Sequence, residues 1–512
     1  MINEAIKVIN FLKKRPMLFL AVISALSVLL IYYSFFTAII FAALCIVVMF
    51  VLNYKKQSGV LILCVSLLLI TMLSTARTMN SIDRCEKLDG MTVSGEFLAV
   101  TVSENETDRY LCEVEVLECE YLKRGDKLQV FYNGPKIEMG QSFKAKVELS
   151  KITGEISVKS YHSEGIYLFG DLSGIVLTHN TDFVLNTING IRTFIKNEIF
   201  KYFDENEAAT MLALLTGDRT YLSDSFYGNI KSAGVMHVMV VSGMHLSIIV
   251  SFMLFAVNKF MYNRYLKAVV IFLTVLAVAA VCGFTMSIQR AGITYILVAL
   301  ALFIGRQAKA ENSLGAAVSL VILLNPLAIF SVAFQLSVLS TFGILAIALP
   351  VTEFLSKKEI INNKWVLSFV SAVLITLSAL LLTLPVTISV FGYVSNMSLV
   401  TNLLISFAVT LALSFCISGF IFFPLRSIAF YIATLIVKYI NAVINYFGGV
   451  QFAVTYLPEW VAYLSAAIIF LILLGLVACA KQDNMLKLKG VINKKIKEGG
   501  AKLKWPFLKK KR

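Results

Sequence analysis

The sequence has few charged residues and very few histidines for its length. Only 15% of its 512 residues are charged, and only four are histidine. Four histidines, none of them beside an Asp-rich motif, do not supply the ligands of a zinc hydrolase. The sequence also lacks the Gly-x-x-x-x-Gly-Lys loop that cradles ATP phosphates, so the chain does not use ATP through that motif. We therefore expect no metal, no cofactor and no catalytic residue.

Long apolar runs take the place of the missing charge. Hydrophobic residues make up 58% of the chain and the mean hydropathy is +0.80, whereas soluble domains are about half apolar and a quarter charged. Several runs approach the roughly 20 residues that cross a bilayer, including residues 17–36, 268–286, 366–385 and 461–480. The pattern predicts a polytopic α-helical membrane protein with about 10–12 spans.

The net charge of +15 is distributed unevenly. Acidic residues outnumber basic ones in the longest polar stretch, residues 77–164, whereas basic residues dominate the tail. Other basic residues follow apolar runs, as the positive-inside rule expects of cytoplasmic ends. These residues are Lys259, Arg264, Lys267, Arg306, Lys309, Lys357, Lys358 and Arg426. We therefore predict cytoplasmic termini, and bulk charge is weak evidence for a nucleic-acid partner.

Hydropathy and periodicity divide the chain into five segments. Residues 1–78 hold three predicted spans, which place residues 79–168 outside the cytoplasm. Residues 169–233 contain apolar residues at helical spacing, which predicts amphipathic helices in the outer interface or packed on the external domain. Residues 234–480 are predicted to form a multi-span membrane domain, and residues 481–512 a basic cytoplasmic tail.

The external segment, residues 79–168, alternates apolar and polar side chains over short runs. This period is typical of strands, and it predicts strands at residues 93–102, 110–116, 127–132, 142–149 and 155–158. Five short strands suit a small all-β barrel of the OB type, although other small antiparallel barrels fit the periodicity equally well. If this segment faces an oxidising space, one disulfide can form among Cys85, Cys112 and Cys119.

Two groups of polar residues lie at the start of the multi-span region. Gly217-Asp218-Arg219 is typical of an ordinary turn. The second group is Gly234, His237, Ser242, Gly243 and His245. On one continuous helix the two histidines would lie about 80° apart and share a broad face. They are then equally compatible with a lined path and with helix packing through small and polar residues.

Two further groups follow. Arg290 is predicted near the outer end of a span, where snorkelling to the interface is the commoner arrangement. A guanidinium that instead faces a cavity is a good phosphate ligand. Asn325-Pro326 breaks a helix, and Gln335 and Ser337 place an amide and a hydroxyl within the next span. Hydrogen bonds between helices and a lined path explain this last pair equally well.

In this order, the four groups resemble the motifs of the ComEC family of competence proteins, bacterial channels for DNA internalisation. The resemblance extends from the N-terminal spans to the end of the multi-span region. It implies an external OB-like domain and a membrane domain of the bacterial cytoplasmic membrane that passes one DNA strand inward. It makes His237, Ser242, Gly243, His245, Arg290 and Gln335 candidates for the DNA path. It assigns motif or structural roles to Gly217, Asp218, Arg219, Gly234, Asn325 and Pro326.

The same resemblance implies partners. They are single-stranded DNA, membrane lipids, an external DNA receptor and a cytoplasmic ATPase or helicase. Many family members continue into a metallo-β-lactamase-like domain. Because the sequence ends after its basic tail, we expect a separate protein to supply any nuclease.

The resemblance also suggests how a strand would travel. Tyr110, Tyr121 and Phe131 of the external domain are candidates for stacking on bases. Lys494, Lys495 and residues 509–512 are candidates for meeting the emerging phosphates, although binding to anionic lipid is the more ordinary role of such a tail.

Two other functions share some of these features. A secondary transporter or exporter of a small or lipid-linked substrate would have similar spans and helix breaks. An intramembrane hydrolase could use Ser242 with a histidine, but the sequence shows no third orienting group for such a pair.

Overall fold

The structure is a computed structural model that describes residues 16–33, 58–104, 110–260, 263–357, 361, 363–469 and 471. The basic tail at 481–512 and the first fifteen residues lie outside the described residues. The predictions about the tail lysines therefore remain predictions.

Two apolar helices precede the β domain, and the second runs directly into it. These are α1 (Pro16–Tyr33) and α2 (Ser58–Glu86). The apolar first part of α2 gives way to a polar last part, where Arg84 donates from Nη2 to both carboxylate oxygens of Asp126, at 2.9 and 2.7 Å. This half-buried ion pair, in which one nitrogen contacts both carboxylate oxygens, fixes the end of α2 to the β domain.

The β domain is a closed five-stranded barrel. Its strands are β1 (Thr92–Glu104), β2 (Tyr110–Cys119), β3 (Lys127–Tyr132), β4 (Gln141–Lys151) and β5 (Ile166–Thr181). The strand order is β1-β2-β3-β5-β4 with β4 pairing back to β1, and only β3 and β5 are parallel. This is the OB order, so the predicted OB-like domain is confirmed. Alternate residues such as Phe97, Val114 and Phe143 fill the barrel and are fully buried.

The fifth predicted strand is wrong. Residues 155–158 begin helix α3 (Glu155–Glu164), which is bounded by Gly154 and Gly165 with φ values of +88° and +83°. Four alternating residues are too few to separate a strand from a helical turn, and the two glycines permit the left-handed conformations that reverse the chain. The true fifth strand follows α3 and continues past residue 168 to Thr181.

Three helices connect the barrel to the multi-span region: α4 (Phe183–Tyr202), α5 (Glu205–Thr216) and α6 (Asp224–Ser232). The side chain of Asp182 caps α4 by accepting from the Leu185 amide at 2.8 Å. The helix ends where Phe203 becomes extended and buries its ring. Asp204 follows and pairs with Lys438 at 2.7 Å. The helical spacing predicted within residues 169–233 therefore belongs to three separate helices.

The multi-span region contains most of the remaining helices. They are α7 (Met236–Met239), α8 (Gly243–Phe260), α9 (Arg264–Cys282), α10 (Met286–Ile304), α11 (Ala310–Leu324), α12 (Val332–Gly343), α13 (Leu349–Lys357), α14 (Lys364–Phe391), α15 (Ser398–Ile421), α16 (Arg426–Gly448) and α17 (Trp460–Ile469). A 3₁₀ turn (Pro326–Phe330) precedes α12, a π turn (Ile344–Ala348) joins α12 to α13, and a second 3₁₀ turn (Phe423–Leu425) precedes α16. Strands β6 (Tyr393–Ser395) and β7 (Val454–Tyr456) form a small hairpin.

The described residues contain six helical segments that are long and apolar enough to cross a membrane, together with four shorter apolar helices. One of the six is formed by α12 and α13 joined through the π turn, and another by the second 3₁₀ turn and α16. The predicted fold class, a polytopic helical membrane protein with a small β domain, is confirmed. Three cores hold the region together. One contains residues of α4, α5 and α6 together with α15 and α16, and a second contains residues of α8, α9 and α10. A third contains residues of α1, α10, α11 and α12.

Two predictions about sidedness contradict each other. Arg426, predicted at a cytoplasmic end, donates from Nη1 to Glu198 Oε2 of α4 at 2.6 Å. That helix was predicted at the outer interface, and its Arg192 donates to the carbonyl of Val281 at 2.7 Å, at the end of α9 opposite Arg264. Residues 192 and 198 are only about 9 Å apart along a helix. Because Glu198 neutralises Arg426, this arginine is not the free charge to which the positive-inside rule applies.

Candidate functional site

The two histidines do not share one helix, so the predicted 80° relation is wrong. Helix α7 ends at Met239 and α8 begins only at Gly243. Ser242 Oγ accepts from the Met244 amide at 3.3 Å, and His245 Nδ1 accepts from the Ser242 amide at 3.2 Å. This reciprocal pair resembles a capping box, with histidine in the place of glutamate. The Ser-x-x-His spacing is the sequence signal for this helix start.

Helix α7 lies against the first turn of α15. Gly234 has a φ of +73°, and a Cβ there would lie 2.6 Å from Ser398 Cβ, so only glycine fits this turn. Ser398 Oγ donates to the Gly234 carbonyl at 3.3 Å. His237 interacts with the Asn402 side chain and the Gly234 backbone, and part of the residue stays accessible at the surface. The turn therefore presents one histidine at a surface between helices.

His245 is completely buried and has an unsatisfied nitrogen. Its exposed fraction is 0%, and Nε2 has no hydrogen-bond partner among the described residues. Because Nδ1 accepts a backbone amide, the neutral ring carries its proton on Nε2. A buried donor without a partner costs about 1–3 kcal/mol, and such a group is usually satisfied by a water molecule, an ion or a ligand.

Arg290 lies in the second turn of α10 and faces the protein interior, with 7% of its surface exposed. The snorkelling arrangement is therefore not found. Nε donates to Ser337 Oγ of α12 at 3.0 Å, and Ser287 Oγ contacts the same hydroxyl at 3.3 Å. Nη2 lies 2.8 Å from the point that a Cβ on Gly243 would occupy. The missing side chain of Gly243 thus makes room for the guanidinium at the start of α8.

Ser242, Gly243, His245, Ser287, Arg290 and Ser337 form what we call the Arg290 cluster. Among the described residues, Arg290 has no carboxylate partner, and its Nη1 and Nη2 make no hydrogen bond. The amino terminus of α8 adds the positive end of a helix dipole. The cluster therefore combines an unpaired guanidinium, a helix amino terminus and an unsatisfied imidazole N–H, and each of these groups favours an anionic oxygen.

Gln335 and Asn325 make structural contacts outside the cluster. Gln335 Nε2 donates to the Ile329 carbonyl at 2.8 Å and closes the 3₁₀ turn before α12. Asn325 Nδ2 donates to the Ser163 carbonyl of α3 at 2.6 Å and joins the membrane region to the barrel. Pro326 is the first residue of the 3₁₀ turn and is buried. Sequence reasoning assigned no role to Ser163 or to Ser287, because serines without a distinctive spacing give no signal.

The Gly217-Asp218-Arg219 group is an ordinary turn, as its sequence indicates. Gly217 ends α5 with a φ of +81°. Asp218 Oδ1 accepts from the amide and the hydroxyl of Thr220, at 3.0 and 2.7 Å. Arg219 is exposed. A Cβ on Gly217 would lie 3.3 Å from Val241, so this turn packs beside the start of α8.

Ser242 Oγ lies 3.1 Å from His245 Nδ1, within reach of a nucleophile and its base. However, Nδ1 also accepts the Ser242 amide, and no described carboxylate orients the ring through Nε2. The contact therefore fits helix capping better than a hydrolytic dyad. The described residues also contain no group of three or more potential metal ligands.

Of the three predicted aromatics, Tyr121 is the most exposed on the barrel surface. Tyr121 is 48% exposed. Tyr110 stacks on buried Tyr132 with ring centres 5.1 Å apart, and Phe131 packs edge-on against Phe169. Glu113 pairs with Lys127 at 2.7 Å, which removes one of the few cations from the β2–β3 face.

The three barrel cysteines are free. Cys85 and Cys112 lie in the core, and burial raises the pKa of the Cys112 thiol to about 12. We predict that a maleimide added to the folded protein at pH 7.5 modifies Cys119 but neither core thiol, because the reactive thiolate of Cys112 is almost absent. Peptide mapping by mass spectrometry would measure this, with denatured protein as the control. Equal labelling of Cys112 and Cys119 before denaturation would contradict the buried position.

A family model described as Competence protein matches residues 214–482, which is more than half of the chain. The chain belongs to the competence protein family. No curated protein and no solved structure matches it. The match begins in α5 and contains every residue of the Arg290 cluster. Membership in this family indicates that the competence protein has a role in DNA uptake. Its six long apolar helical segments indicate a multi-pass membrane protein.

Proposed function

We propose that this competence protein is a channel that passes single-stranded DNA through the cytoplasmic membrane of a bacterium. The barrel lies outside and both termini lie inside. The observation that carries the proposal is Arg290, an inward-facing guanidinium with 7% of its surface exposed, whose Nη1 and Nη2 make no hydrogen bond to the described residues. A charge without a counter-ion is costly inside a membrane protein. Its retention is explained if a phosphate of the passing strand is the partner.

The geometry suits brief contact with a passing phosphate better than tight, lasting binding of one. Arg290 stands alone as a cation in its cluster, and the start of α8 and His245 Nε2 add only partial charges. A phosphate would therefore be attracted by one full charge and released to the next position along the path. Conduction requires this balance, because binding must be strong enough for entry and weak enough for exit.

The barrel guides the strand in this proposal and does not hold it by charge. The outward side chains of β2 include Glu115 and Glu118, which repel phosphates. The exposed Tyr121 ring can stack on a base of any identity. We therefore assign delivery of DNA to an external receptor. A cytoplasmic ATPase or helicase, a separate nuclease and membrane lipids are further proposed partners.

A secondary transporter is the second candidate, and the break between α7 and α8 favours it. Transporters place half-helix amino termini at anionic substrates in the middle of the membrane, and Gly243 begins α8 beside Arg290. A transporter would move a small or lipid-linked anion and would leave DNA entry unaffected when deleted.

Entry of fluorescent double-stranded DNA into cells tests the proposal directly. We expect cells that lack this gene to bind DNA at the surface and to show no label in the cytoplasm. A plasmid copy of the wild-type gene should restore entry. If the deleted strain takes up DNA as well as its parent under transforming conditions, the channel proposal fails and the transporter becomes the better candidate.

A further inference from the structure

Two contacts connect the barrel to the two helices that carry Arg290 and Ser337. We propose that Arg192 and Asn325 are positioning residues, which hold α10 and α12 at the separation that the Arg290–Ser337 hydrogen bond requires. The expected effect on DNA passage rests on the proposed function, because a displaced Arg290 would no longer contact the strand. Its structural part can be tested without DNA.

The first connection passes through α4. Gly140 of the barrel, with a φ of +85°, lies directly against the amino-terminal turn of this helix. Two turns later Arg192 Nη1 donates to Met139 Sδ at 3.6 Å, and its Nε donates to the Val281 carbonyl at 2.7 Å. Val281 lies at the end of α9, and the short turn that follows contains Phe284 with a φ of +52°. This turn leads straight into α10, so Arg192 fixes the start of that helix relative to the barrel.

The second connection passes through the 3₁₀ turn between α11 and α12. Helix α3 of the barrel domain packs against this turn. Asn325 Nδ2 donates to the Ser163 carbonyl at 2.6 Å, and Gln335 Nε2 donates to the Ile329 carbonyl at 2.8 Å. Gln335 precedes Ser337 by two residues on α12. The turn is therefore held to the barrel at one end and to the start of α12 at the other.

The Arg290–Ser337 hydrogen bond joins these two connections into a closed ring. The ring runs from the barrel through Arg192 to α10, across Arg290 Nε to Ser337 Oγ at 3.0 Å, and back through α12 and Asn325. Hydrogen bonds weaken steeply with distance and angle. A small displacement of the barrel would therefore break this bond and let the guanidinium turn away. The barrel is in this way the element that sets the position of Arg290.

Hydrogen–deuterium exchange of the full-length protein in lipid nanodiscs tests the ring. The substitutions are Asn325→Asp, which removes the donor at nearly constant shape, and Arg192→Gln, which opens the ring on the other side. We expect the amides of residues 286–294 to exchange about fivefold faster in both, the change that loss of one net hydrogen bond produces. In a Ser337→Ala background, Asn325→Asp should add nothing further, because the ring is already open.

Asn396→Asp is the matched control. Asn396 Nδ2 also donates to a backbone carbonyl, that of Phe452 at 2.7 Å, but in the β6–β7 hairpin outside the ring. Exchange of residues 286–294 should not change in this variant. The proposal is overturned if Asn325→Asp leaves that exchange unchanged, or if it accelerates it equally in the Ser337→Ala background, which would indicate local packing only.

A second readout separates this inference from the proposed function. Binding of a fluorescein-labelled oligothymidylate to the same nanodiscs should weaken about fivefold in Asn325→Asp, in step with the exchange. If exchange follows the expected pattern while binding is unchanged in both Asn325→Asp and Arg290→Ala, the positioning ring stands. In that case the assignment of Arg290 to the DNA path fails.

Discussion

Replacing Arg290 with alanine is expected to lower DNA entry by about a hundredfold or more while the protein stays folded. In a site with little water, each hydrogen bond to a charged group contributes about 1.5–3 kcal/mol, and Nη1 and Nη2 are both without a partner among the described residues. The loss of two such bonds to a phosphate accounts for the size of the effect. Arg290→Lys keeps the charge but not the planar fork, so we expect an intermediate loss of about tenfold.

The stability of the same variants distinguishes a path residue from a packing residue. Removing a charge that lacks a counter-ion offsets the loss of the single hydrogen bond from Arg290 Nε to Ser337 Oγ, which contributes about 1 kcal/mol. Thermal unfolding of Arg290→Ala in detergent should therefore stay close to the wild-type temperature, although residues 286–294 exchange faster. Arg306→Ala is a suitable control, because Arg306 is an exposed arginine just beyond the other end of α10 and should leave both entry and unfolding unchanged.

An opposite result would reassign the residue. If Arg290→Ala unfolds well below the wild type and its entry defect disappears when expression is matched, Arg290 serves helix packing. The path must then be sought elsewhere, for example at the partly accessible His237 beside Asn402.

The barrel could be predicted from the sequence because strand alternation is a local property. Residues 127–132 were predicted as a strand and form β3 with the same limits. The error at residues 155–158 is also local, because four residues of alternation fit either a strand or the first turn of a helix. The closed strand order came only from the resemblance, since period-two alternation is shared by all small barrels.

The candidate site could be predicted only in part, because its decisive contacts are distant in sequence. Ser242 and His245 carry a local capping signal, but the segment that contains them was predicted as one continuous helix. The burial of Arg290 depends on Gly243 of another helix and on Ser337, 47 residues away. Spacing along one helix therefore could not separate a snorkelling arginine from a buried one. The ion pair between Arg426 and Glu198, 228 residues apart, could not be predicted from spacing for the same reason.

Two glycines of the same motif should respond to substitution in opposite ways, and Gly243→Ala has the larger effect on function. A Cβ at this position meets only the end of the flexible Arg290 side chain, 2.8 Å away, and the Cβ of Ala291 at 3.2 Å. Alanine also favours the first turn of a helix over glycine, by up to about 1 kcal/mol. The guanidinium must move, so we expect a folded protein whose DNA entry falls about tenfold or more, towards the level of Arg290→Ala.

Gly234→Ala is the counterpart that should damage the fold. Its Cβ would lie 2.6 and 2.7 Å from the Cβ atoms of Ser398 and Ser395, which sit on backbone that cannot move aside easily, and its φ is +73°. The left-handed conformation alone costs about 1–2 kcal/mol for a residue with a side chain, and the overlap adds to this. We expect reduced yield and earlier unfolding, measured by fluorescence-detected gel filtration over a temperature series. If instead Gly243→Ala unfolds early while Gly234→Ala is stable and inactive, the space beside Arg290 serves helix packing, and the turn at Gly234 with the neighbouring His237 is the better candidate for the path.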